Sequence, residues 1–287
     1  MPERTLWRKI EERLHLLVDE SEAVIGLALR DLAGGREVLV NPDEVFPIGS
    51  LIKGGILAEL IRAASQDRCR LDERIVVTPA DRTGGSGVLT NLDDPVSMTL
   101  RDLVNLMIIA SDNVAANICF DRVGAAQVQS LFREFGLEHT TLARKMMDDA
   151  AVLAGQENVG TPREIMKLFV ALHECEHHEG RPLTRDDAAE ILRILKKPKD
   201  DPIRRPLPAG VVVAGKSGHL DGAAADAAIV YLSGRPYILV VMTKYLRGHD
   251  GDGVIVGLSK AIYEHLEVLA ASTPFGRRTP NPAAARP

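Results

Sequence analysis

Ser50 and Lys53 stand three positions apart in the segment FPIGSLIK, at the start of a predicted helix. Residues with this spacing lie on one helical face, so the two side chains can meet. A lysine that loses much of its hydration becomes a neutral amine, which can take the proton of a serine hydroxyl. A serine at a helix start is more often an N-cap, so the pair indicates a nucleophile and its base only with further support.

Two further short motifs give that support. The S-D-N sequence at residues 111–113 precedes an apolar helical pattern, and the K-S-G sequence at residues 216–218 lies in a predicted strand. Separate helix caps and surface polar groups would rarely produce S-x-x-K, S-D-N and K-[ST]-G in this order, each of them once. The triplet is the signature of class A β-lactamases and penicillin-binding proteins. The chain therefore resembles this family of serine acyl-transfer enzymes.

The resemblance extends over about residues 22 to 270 and implies the roles of the reacting groups. Ser50 is implied as the nucleophile and Lys53 as a general base or proton carrier. Ser111 is implied to pass the proton to the leaving nitrogen of the substrate. The segments that carry the resemblance are FPIGSLIK, IIASDNVAANICFDRVG, VGTPREIMKLF and VVAGKSGHLDG.

The same resemblance implies the substrate-binding residues. Asn113 is expected to hold the amide side chain of the substrate. Lys216, the fourth expected catalytic residue, and Ser217 are expected to bind the substrate carboxylate, one through charge and the other through its hydroxyl. Gly218 completes the motif beside the substrate, and the backbone N–H groups of the nucleophile and of His219 are expected to form the oxyanion hole.

The sequence departs from the family in the Ω-loop. Class A β-lactamases carry a glutamate there, in the context E-x-x-L-N, which activates the water that releases the acyl group. The matching region is TLARKMMDDAAVLAGQENVGTPRE, where Arg144 is predicted as the anchoring arginine and Asn158 as its partner. The place of the glutamate then falls on Met146 or Met147. A thioether cannot take a proton from water, so deacylation is predicted to be weak.

Three carboxylates near this position are candidates for a substitute base. Asp148 and Asp149 follow the two methionines, and Glu157 lies further along the loop. The simpler interpretation is that all three are solvated loop acids.

The predicted function is that of a serine hydrolase of the class A β-lactamase type, which opens β-lactam rings through an acyl-Ser50 intermediate. A D,D-peptidase or penicillin-binding protein, and a hydrolase of small esters, are alternatives within the enzyme class. A non-catalytic sensor of β-lactams or peptidoglycan, acylated once without turnover, is the alternative from another class.

The composition limits the partners. The 287 residues carry a formal net charge of −5 without a long basic tract, which argues against nucleic acid. No apolar run reaches the roughly 18 residues that span a bilayer, so no membrane partner is expected. We expect a monomer with a small-molecule substrate and no cofactor or metal. The sequence as written predicts a cytoplasmic protein, or a periplasmic or secreted one if a leader was removed. The odd number of cysteines argues against a disulfide framework: Cys69, Cys119 and Cys175.

The elements that must position these residues follow a simple order. A helix, two strands, a long run of helices, three strands and a last helix predict an α+β fold with two lobes. Strands from both ends of the chain are expected to pair in one antiparallel sheet, flanked by the terminal helices. The predicted α/β lobe comprises 1–48 and 205–272, the inserted all-helical lobe comprises 49–204, and 273–287 is predicted as a disordered tail.

Three other features carry weaker predictions. The segment GGSGVL at 84–89 has no phosphate-loop context and is predicted to shape the rim of the cleft. The histidines and cysteine of HECEHH, 173–178, fit no standard zinc spacing. Lys244 and Arg247 are predicted as exposed basic residues, with assistance to carboxylate binding as the alternative.

Overall fold

In a computed structural model of the protein, the described residues form one five-stranded sheet and two short two-stranded ribbons. The described residues are 3–178, 180, 182–247, 250–273 and 275–278. The strands in chain order are β1 (Val24–Asp31), β2 (Glu37–Val40), β3 (Phe46–Pro47), β4 (Arg74–Val77), β5 (Val96–Thr99), β6 (Val159–Gly160), β7 (Val212–Leu220), β8 (Ala223–Tyr231) and β9 (Tyr237–Lys244).

Helices make up most of the remaining described chain. A short 3₁₀ helix, Gly49–Ile52, leads directly into the first helix after the N-terminal strands. The α-helices are α1 (Glu3–Asp19), α2 (Lys53–Ser65), α3 (Leu100–Ile109), α4 (Asn113–Val123), α5 (Ala125–Glu134), α6 (Asp149–Leu153), α7 (Pro162–His177), α8 (Arg185–Leu195) and α9 (Gly251–Ala270).

The large sheet joins the two ends of the chain. Its strand order is β2-β1-β9-β8-β7, and all neighbours are antiparallel. Val24 at the start of β1 lies opposite Lys244 at the end of β9. The predicted pairing of N- and C-terminal strands, and the predicted α+β class, are confirmed.

Each face of the sheet supports a separate hydrophobic core. On one face, Trp7, Ile10 and Leu14 of α1 pack with Ile262 and Leu266 of α9 over the sheet. On the other face, the strands pack with α2, α7 and α8 in a larger core that continues into the remaining inserted helices. Because both faces are covered, the central strands β8 and β9 are buried along almost their whole length.

The inserted segment is not purely helical. Strands β4 and β5 form an antiparallel ribbon within it, with Arg74 opposite Thr99. This corrects the prediction of an all-helical lobe, since RIVV and VSMT are short, β-branched stretches that favour extended backbone. The lobe boundaries at 48/49 and 204/205 stay predictions. The predicted disordered tail lies largely outside the described residues.

No helix in the described ranges combines the length and the apolar character needed to cross a membrane.

Candidate active site

A cleft of about 620 Å³ lies where the helical segment meets the end of β7. Ser50, Asn113 and His219 lie on its walls. The loop at 85–86 and parts of the Ω segment, 144–158, complete its lining. Residues that are far apart in the chain, and that the motifs single out, therefore face one space.

Strand β7 lies directly against the turn that carries Ser50. A Cβ on Gly218 would come within 2.2 Å of Ile48 O and 2.8 Å of Ser50 N, so only glycine allows this approach. Gly49 adopts a positive φ of 48°, and a Cβ there would lie 3.3 Å from His219 N. The backbone N–H groups of Ser50 and His219 are thus brought close together, as an oxyanion hole requires.

Lys53, the first residue of α2, is completely buried beneath this turn. Its Nζ donates to Ser111 O at 2.5 Å and to Asn113 Oδ1 at 2.8 Å, and lies 3.2 Å from Ser111 Oγ. The pKa of Lys53 is lowered to about 6, mainly by burial and next by the charge of Lys216, while the charge of Asp112 opposes the shift. At neutral pH the amine is therefore mostly uncharged.

The contacts of this neutral amine determine where its lone pair is available. A neutral amine has two N–H donors, and Ser111 O and Asn113 Oδ1 can only accept. With both donors used, the lone pair remains for a hydroxyl group. The described contacts of Lys53 Nζ do not include a hydrogen bond with Ser50 Oγ. Transfer of the Ser50 proton to Lys53 therefore requires a small movement of these side chains when substrate binds.

Ser111 is held in an unusual backbone conformation between two helices. Its φ is 49°, a left-handed value that is uncommon for a residue other than glycine. Helix α3 ends at Ile109 and α4 begins after its N-cap Asp112. The hydrogen bond from Lys53 to Ser111 O helps to hold this conformation. Strain of this kind is frequent where a side chain must project into a site.

The carboxylate of Asp112 ties the S-D-N segment to the glycine-rich loop. Its Oδ2 accepts from Val88 N at 2.7 Å and Leu89 N at 2.9 Å, and its Oδ1 accepts from Ala115 N. Asn113 Nδ2 donates to Gly84 O at 2.9 Å. Gly85 and Ser86 line the cleft, which confirms the prediction that 84–89 shapes its rim.

Asn113 is already engaged at both ends of its amide. Its Oδ1 accepts from Lys53, and one Nδ2 hydrogen goes to Gly84 O. The remaining N–H is available for a substrate carbonyl, as the predicted substrate-binding role requires.

Lys216 and Ser217 form a buried polar group rather than an open patch. Lys216 is 2% exposed and its Nζ donates to Ser217 O at 2.6 Å. Burial lowers the pKa of Lys216 to about 8, against the opposing charges of Asp201 and Asp226. Ser217 Oγ donates to Asp201 Oδ1 at 2.7 Å. The hydroxyl expected to meet a substrate therefore already has an internal acceptor.

Sequence reasoning missed this acidic cluster. Asp226 lies opposite Ser217 in the register of β7 and β8 and is completely buried. A single aspartate in the alanine-rich strand AAADAAIVY is the signal that was available. Asp201, in the loop before β7, carries no such signal because its segment is rich in charged residues.

His219 is half-exposed at the mouth of the cleft. Its Nε2 lies 2.5 Å from Asp252 Oδ1, and Asp252 also pairs with Arg205. Arg205 pairs in addition with Asp200. The side chain of His219 thus belongs to a surface ion network, while its backbone faces Ser50.

The anchoring of the Ω segment differs from the prediction. The guanidinium of Arg144 pairs with Glu157 at 2.7 Å, whereas the side chain of Asn158 bonds the backbone of Arg144. Asn158 Oδ1 instead accepts from Ala143 N and Arg144 N. This assigns the anchoring carboxylate to Glu157, so it is not a free candidate for a base. An amide cannot form an ion pair with arginine, which is the physical reason for the exchange.

Met146 occupies a fixed position on the cleft wall. Its N donates to Asn117 Oδ1 at 2.8 Å, and its O accepts from Asn117 Nδ2 at 3.2 Å. Met147, with a φ of 59°, also lines the cleft and is more exposed. Asn117, one turn after Asn113 on α4, was not predicted as a site residue.

The two candidate aspartates lie in different surroundings. Asp148 is the N-cap of α6, where Oδ1 accepts from Ala151 N at 3.0 Å, and it lies outside the cleft lining. Asp149 lies on the cleft wall. Of these two aspartates, Asp149 is the one that lines the cleft.

The weaker predictions have mixed outcomes. Lys244 is not a simple exposed cation, because it pairs with Glu44 and lies 5.0 Å from the centre of the Phe46 ring. Arg247 reaches Glu22 at 4.0 Å and is highly exposed. Within the described part of the chain, no three His, Cys, Asp or Glu side chains are grouped to hold a metal. The side chain of His177 in HECEHH lies outside the described residues.

Comparison with known proteins agrees with this geometry. The family model described as Beta-lactamase enzyme family matches residues 6–266. The chain belongs to the beta-lactamase enzyme family. The predicted enzyme class, a serine hydrolase of the β-lactamase type, is thereby confirmed.

Individual relatives cover nearly the whole chain. A beta-lactamase of Streptomyces fradiae is 29% identical over 259 residues, which are 86% of this chain and 83% of the relative. A beta-lactamase structure from Sphaerobacter thermophilus is 28% identical, with a TM-score of 0.80 over 90% of this chain and 97% of that one. A mutant of PBP-A, solved as an acyl-enzyme complex with penicillin G, is 26% identical, with a TM-score of 0.78 over 93% and 98%.

Proposed function

We propose that the protein opens β-lactam rings by forming an ester at Ser50 and that it releases this ester slowly. The observation that carries the proposal is the buried Lys53, whose pKa of about 6 makes it a base at neutral pH. It lies one helical turn from Ser50, in a site whose glycines leave room for a carbonyl group. The acylation of the PBP-A mutant by penicillin G supports the choice of substrate class.

Acylation follows from these contacts. Ser50 Oγ attacks the lactam carbonyl carbon while its proton passes to the amine of Lys53. The carbonyl oxygen becomes an anion held by the N–H groups of Ser50 and His219. When the C–N bond breaks, Ser111, 3.2 Å from Lys53 Nζ, passes the proton to the leaving nitrogen. An acyl ester on Ser50 remains.

Release of the ester requires a base for water, and the cleft wall offers little. Met146 and Met147 cannot accept a proton from water. Asp149 and Glu157 line the cleft among the three predicted carboxylates, and Glu157 is already paired with Arg144. Absence of a well-placed base slows such a step by about 10²- to 10⁴-fold. These methionines favour a penicillin-binding protein or D,D-peptidase as the second candidate function.

Intact mass spectrometry after mixing with benzylpenicillin or a chromogenic cephalosporin tests the proposal. We expect an adduct with the whole mass of benzylpenicillin that persists from seconds to hours, and no adduct in Ser50→Ala. Rapid loss of the adduct with steady product release would indicate an efficient β-lactamase instead. A protein that forms no adduct would contradict the proposal and favour an esterase; an adduct that never turns over would favour a sensor.

A further inference from the structure

The hydroxyl of Ser217 has a single hydrogen, and that hydrogen is already bound. Ser217 Oγ donates it to Asp201 Oδ1 at 2.7 Å, in surroundings where Ser217 is 6% exposed and Asp201 5% exposed. A hydroxyl offers one donor, so a substrate carboxylate must displace Asp201 to receive it. The Ser217 hydroxyl, which the K-S-G motif is expected to offer to a substrate carboxylate, is therefore already bound to the carboxylate of Asp201.

The charges around this hydroxyl also oppose an incoming anion. Asp201 lies close enough to Lys216 to act on its charge, and so it offsets the attraction that Lys216 exerts. Lys199 Nζ lies 3.7 Å from Asp201 Oδ2, so it shares the same carboxylate. Burial raises the pKa of Asp226 well above its ordinary value, and the charge of Asp201 raises it further.

The basic side chains at the mouth of the cleft are already paired with carboxylates of the protein. Arg205 is bound by both Asp200 and Asp252. His219 shares Asp252 with it. Lys199, Arg205 and His219 thus each have a carboxylate partner within the protein, whereas Lys216 donates to the backbone oxygen of Ser217.

We propose that Asp201 is a specificity-determining residue, which directs the site towards acyl donors whose group beside Ser217 is uncharged, such as an ester or an amide. The inference rests on the proposed function, because it concerns substrates that acylate Ser50. A carboxylate at the same position meets the charge of Asp201 and finds no free hydroxyl hydrogen. An uncharged carbonyl meets no such repulsion.

The test compares benzylpenicillin with its methyl ester, which differ in one charge. The measured quantity is the second-order rate constant for adduct formation at Ser50, followed by intact mass spectrometry. Asp201→Asn removes the charge and retains the shape of the side chain. We expect this variant to raise the ratio of the benzylpenicillin rate to the ester rate by roughly tenfold or more, since opposed like charges at a desolvated site are strongly unfavourable.

Asp200→Asn is the matched control, because it removes the same charge from the neighbouring residue. Asp200 is 80% exposed and pairs with Arg205, not with Ser217. We expect the ratio in this variant to stay within about twofold of the wild type because exposed charges are screened. An unchanged ratio in Asp201→Asn, or an equal rise in both variants, would overturn the inference.

Ser217→Ala gives a second test that does not depend on folding of the Asp201 variant. If Asp201 already occupies the hydroxyl, we expect loss of the hydroxyl to leave the ratio nearly unchanged in the wild-type background. A selective loss of benzylpenicillin acylation would show that the hydroxyl serves the substrate, against the inference. Absence of any adduct with either compound would overturn the proposed function itself, and the inference with it.

Discussion

Lys53 controls when the active site can react, because only its uncharged form takes a proton. Its pKa of about 6 arises mainly from burial, with a further contribution from the charge of Lys216. The base form is populated above this pKa, so the acylation rate of Ser50 is expected to rise as pH increases through about 6. Replacing Lys216 with methionine removes a charge that lowers the pKa of Lys53. The pKa of Lys53, and with it the rise in acylation rate, is then expected to move to higher pH.

A pH series of the rate constant for adduct formation measures both effects. The uncharged methyl ester of benzylpenicillin is the suitable probe, because its binding does not need the charge of Lys216. If Lys216→Met leaves the rising limb where it is, the charge of Lys216 does not tune Lys53.

Met146 marks the place where a water-activating base is absent. Its backbone is fixed by Asn117 and its side chain lines the cleft. Met146→Glu is expected to shorten the lifetime of the benzylpenicillin adduct by about 10²- to 10⁴-fold, the range of a general base. Decay of the isolated adduct, followed by mass spectrometry, gives the lifetime.

Met147→Glu is the control for this substitution. Met147 is 48% exposed and has no equivalent pair of backbone hydrogen bonds from Asn117. A carboxylate there is expected to change the lifetime much less. Equal acceleration by both variants would mean that a nearby negative charge, rather than a positioned base, is what matters.

Much of the chemistry of single residues could be predicted from the sequence, and the rest could not for a definite reason. Ser50 and Lys53 share one helical turn, so spacing alone places them together. Asp201 and Ser217 meet through a hydrogen bond across sixteen positions of chain. That contact depends on how the loop before β7 folds back, which no local pattern records.

At the level of the elements, Asp112 holds the start of α4 to the cleft rim. Its buried carboxylate accepts three backbone N–H groups, of Val88, Leu89 and Ala115. Asp112→Ala leaves these donors without their acceptor, and we expect a loss of about 3 kcal/mol in the free energy of unfolding. Urea denaturation measures the loss. Acylation is expected to slow as well, since Asn113 depends on the same loop.

Asp148→Ala provides the comparison, because Asp148 is also a helix N-cap. It accepts one backbone N–H at the start of the short helix α6. Loss of an ordinary N-cap costs about 1 kcal/mol. If the two variants lose equal stability, the contacts of Asp112 to the rim loop contribute nothing beyond capping.

The elements that the sequence predicted are those with a strong apolar period. Helices α7 and α8 follow the N-caps Thr161 and Thr184, and threonine before an apolar helical pattern is a typical helix start. The two-residue pairing of β3 with β6 was not predicted, because such short strands carry no period. Helix α6 is also short, and its sequence DAAVL indicates no preferred face.

At the level of the whole molecule, Arg235 joins the N-terminal helix to the sheet. It donates to Asp31, which is completely buried at the end of β1, and to Glu3 of α1. Arg235→Ala leaves the carboxylate of Asp31 buried without its partner, and we expect a loss of about 3 to 5 kcal/mol in the free energy of unfolding.

Glu3→Gln removes the exposed member of the same group and is expected to cost less than about 1 kcal/mol. Thermal or urea denaturation distinguishes the two variants. A similar cost for both would show that Asp31 is hydrated when Arg235 is absent.

The sheet as a whole could be predicted only in outline. The apolar strands at both ends of the chain indicated that they pair, and β1 does pair with β9. The strand order and the register depend on tertiary packing. For example, Phe46 and Pro162 pack against Gly26 of β1, and each lies 2.6 Å from the position that a Cβ on Gly26 would take. The periodicity of apolar residues along the sequence does not predict such a contact between distant segments.

The position of β1 between β2 and β9 has a consequence for synthesis of the protein. Its neighbour β9 is the last strand to leave the ribosome, and the hairpin with β2 satisfies only one edge of β1. At the usual 5 to 20 residues per second, the other edge stays open on the order of tens of seconds. An unpaired apolar edge is a template for aggregation during that time. The soluble yield of the protein will therefore depend on the rate of translation and on chaperones that shield β1.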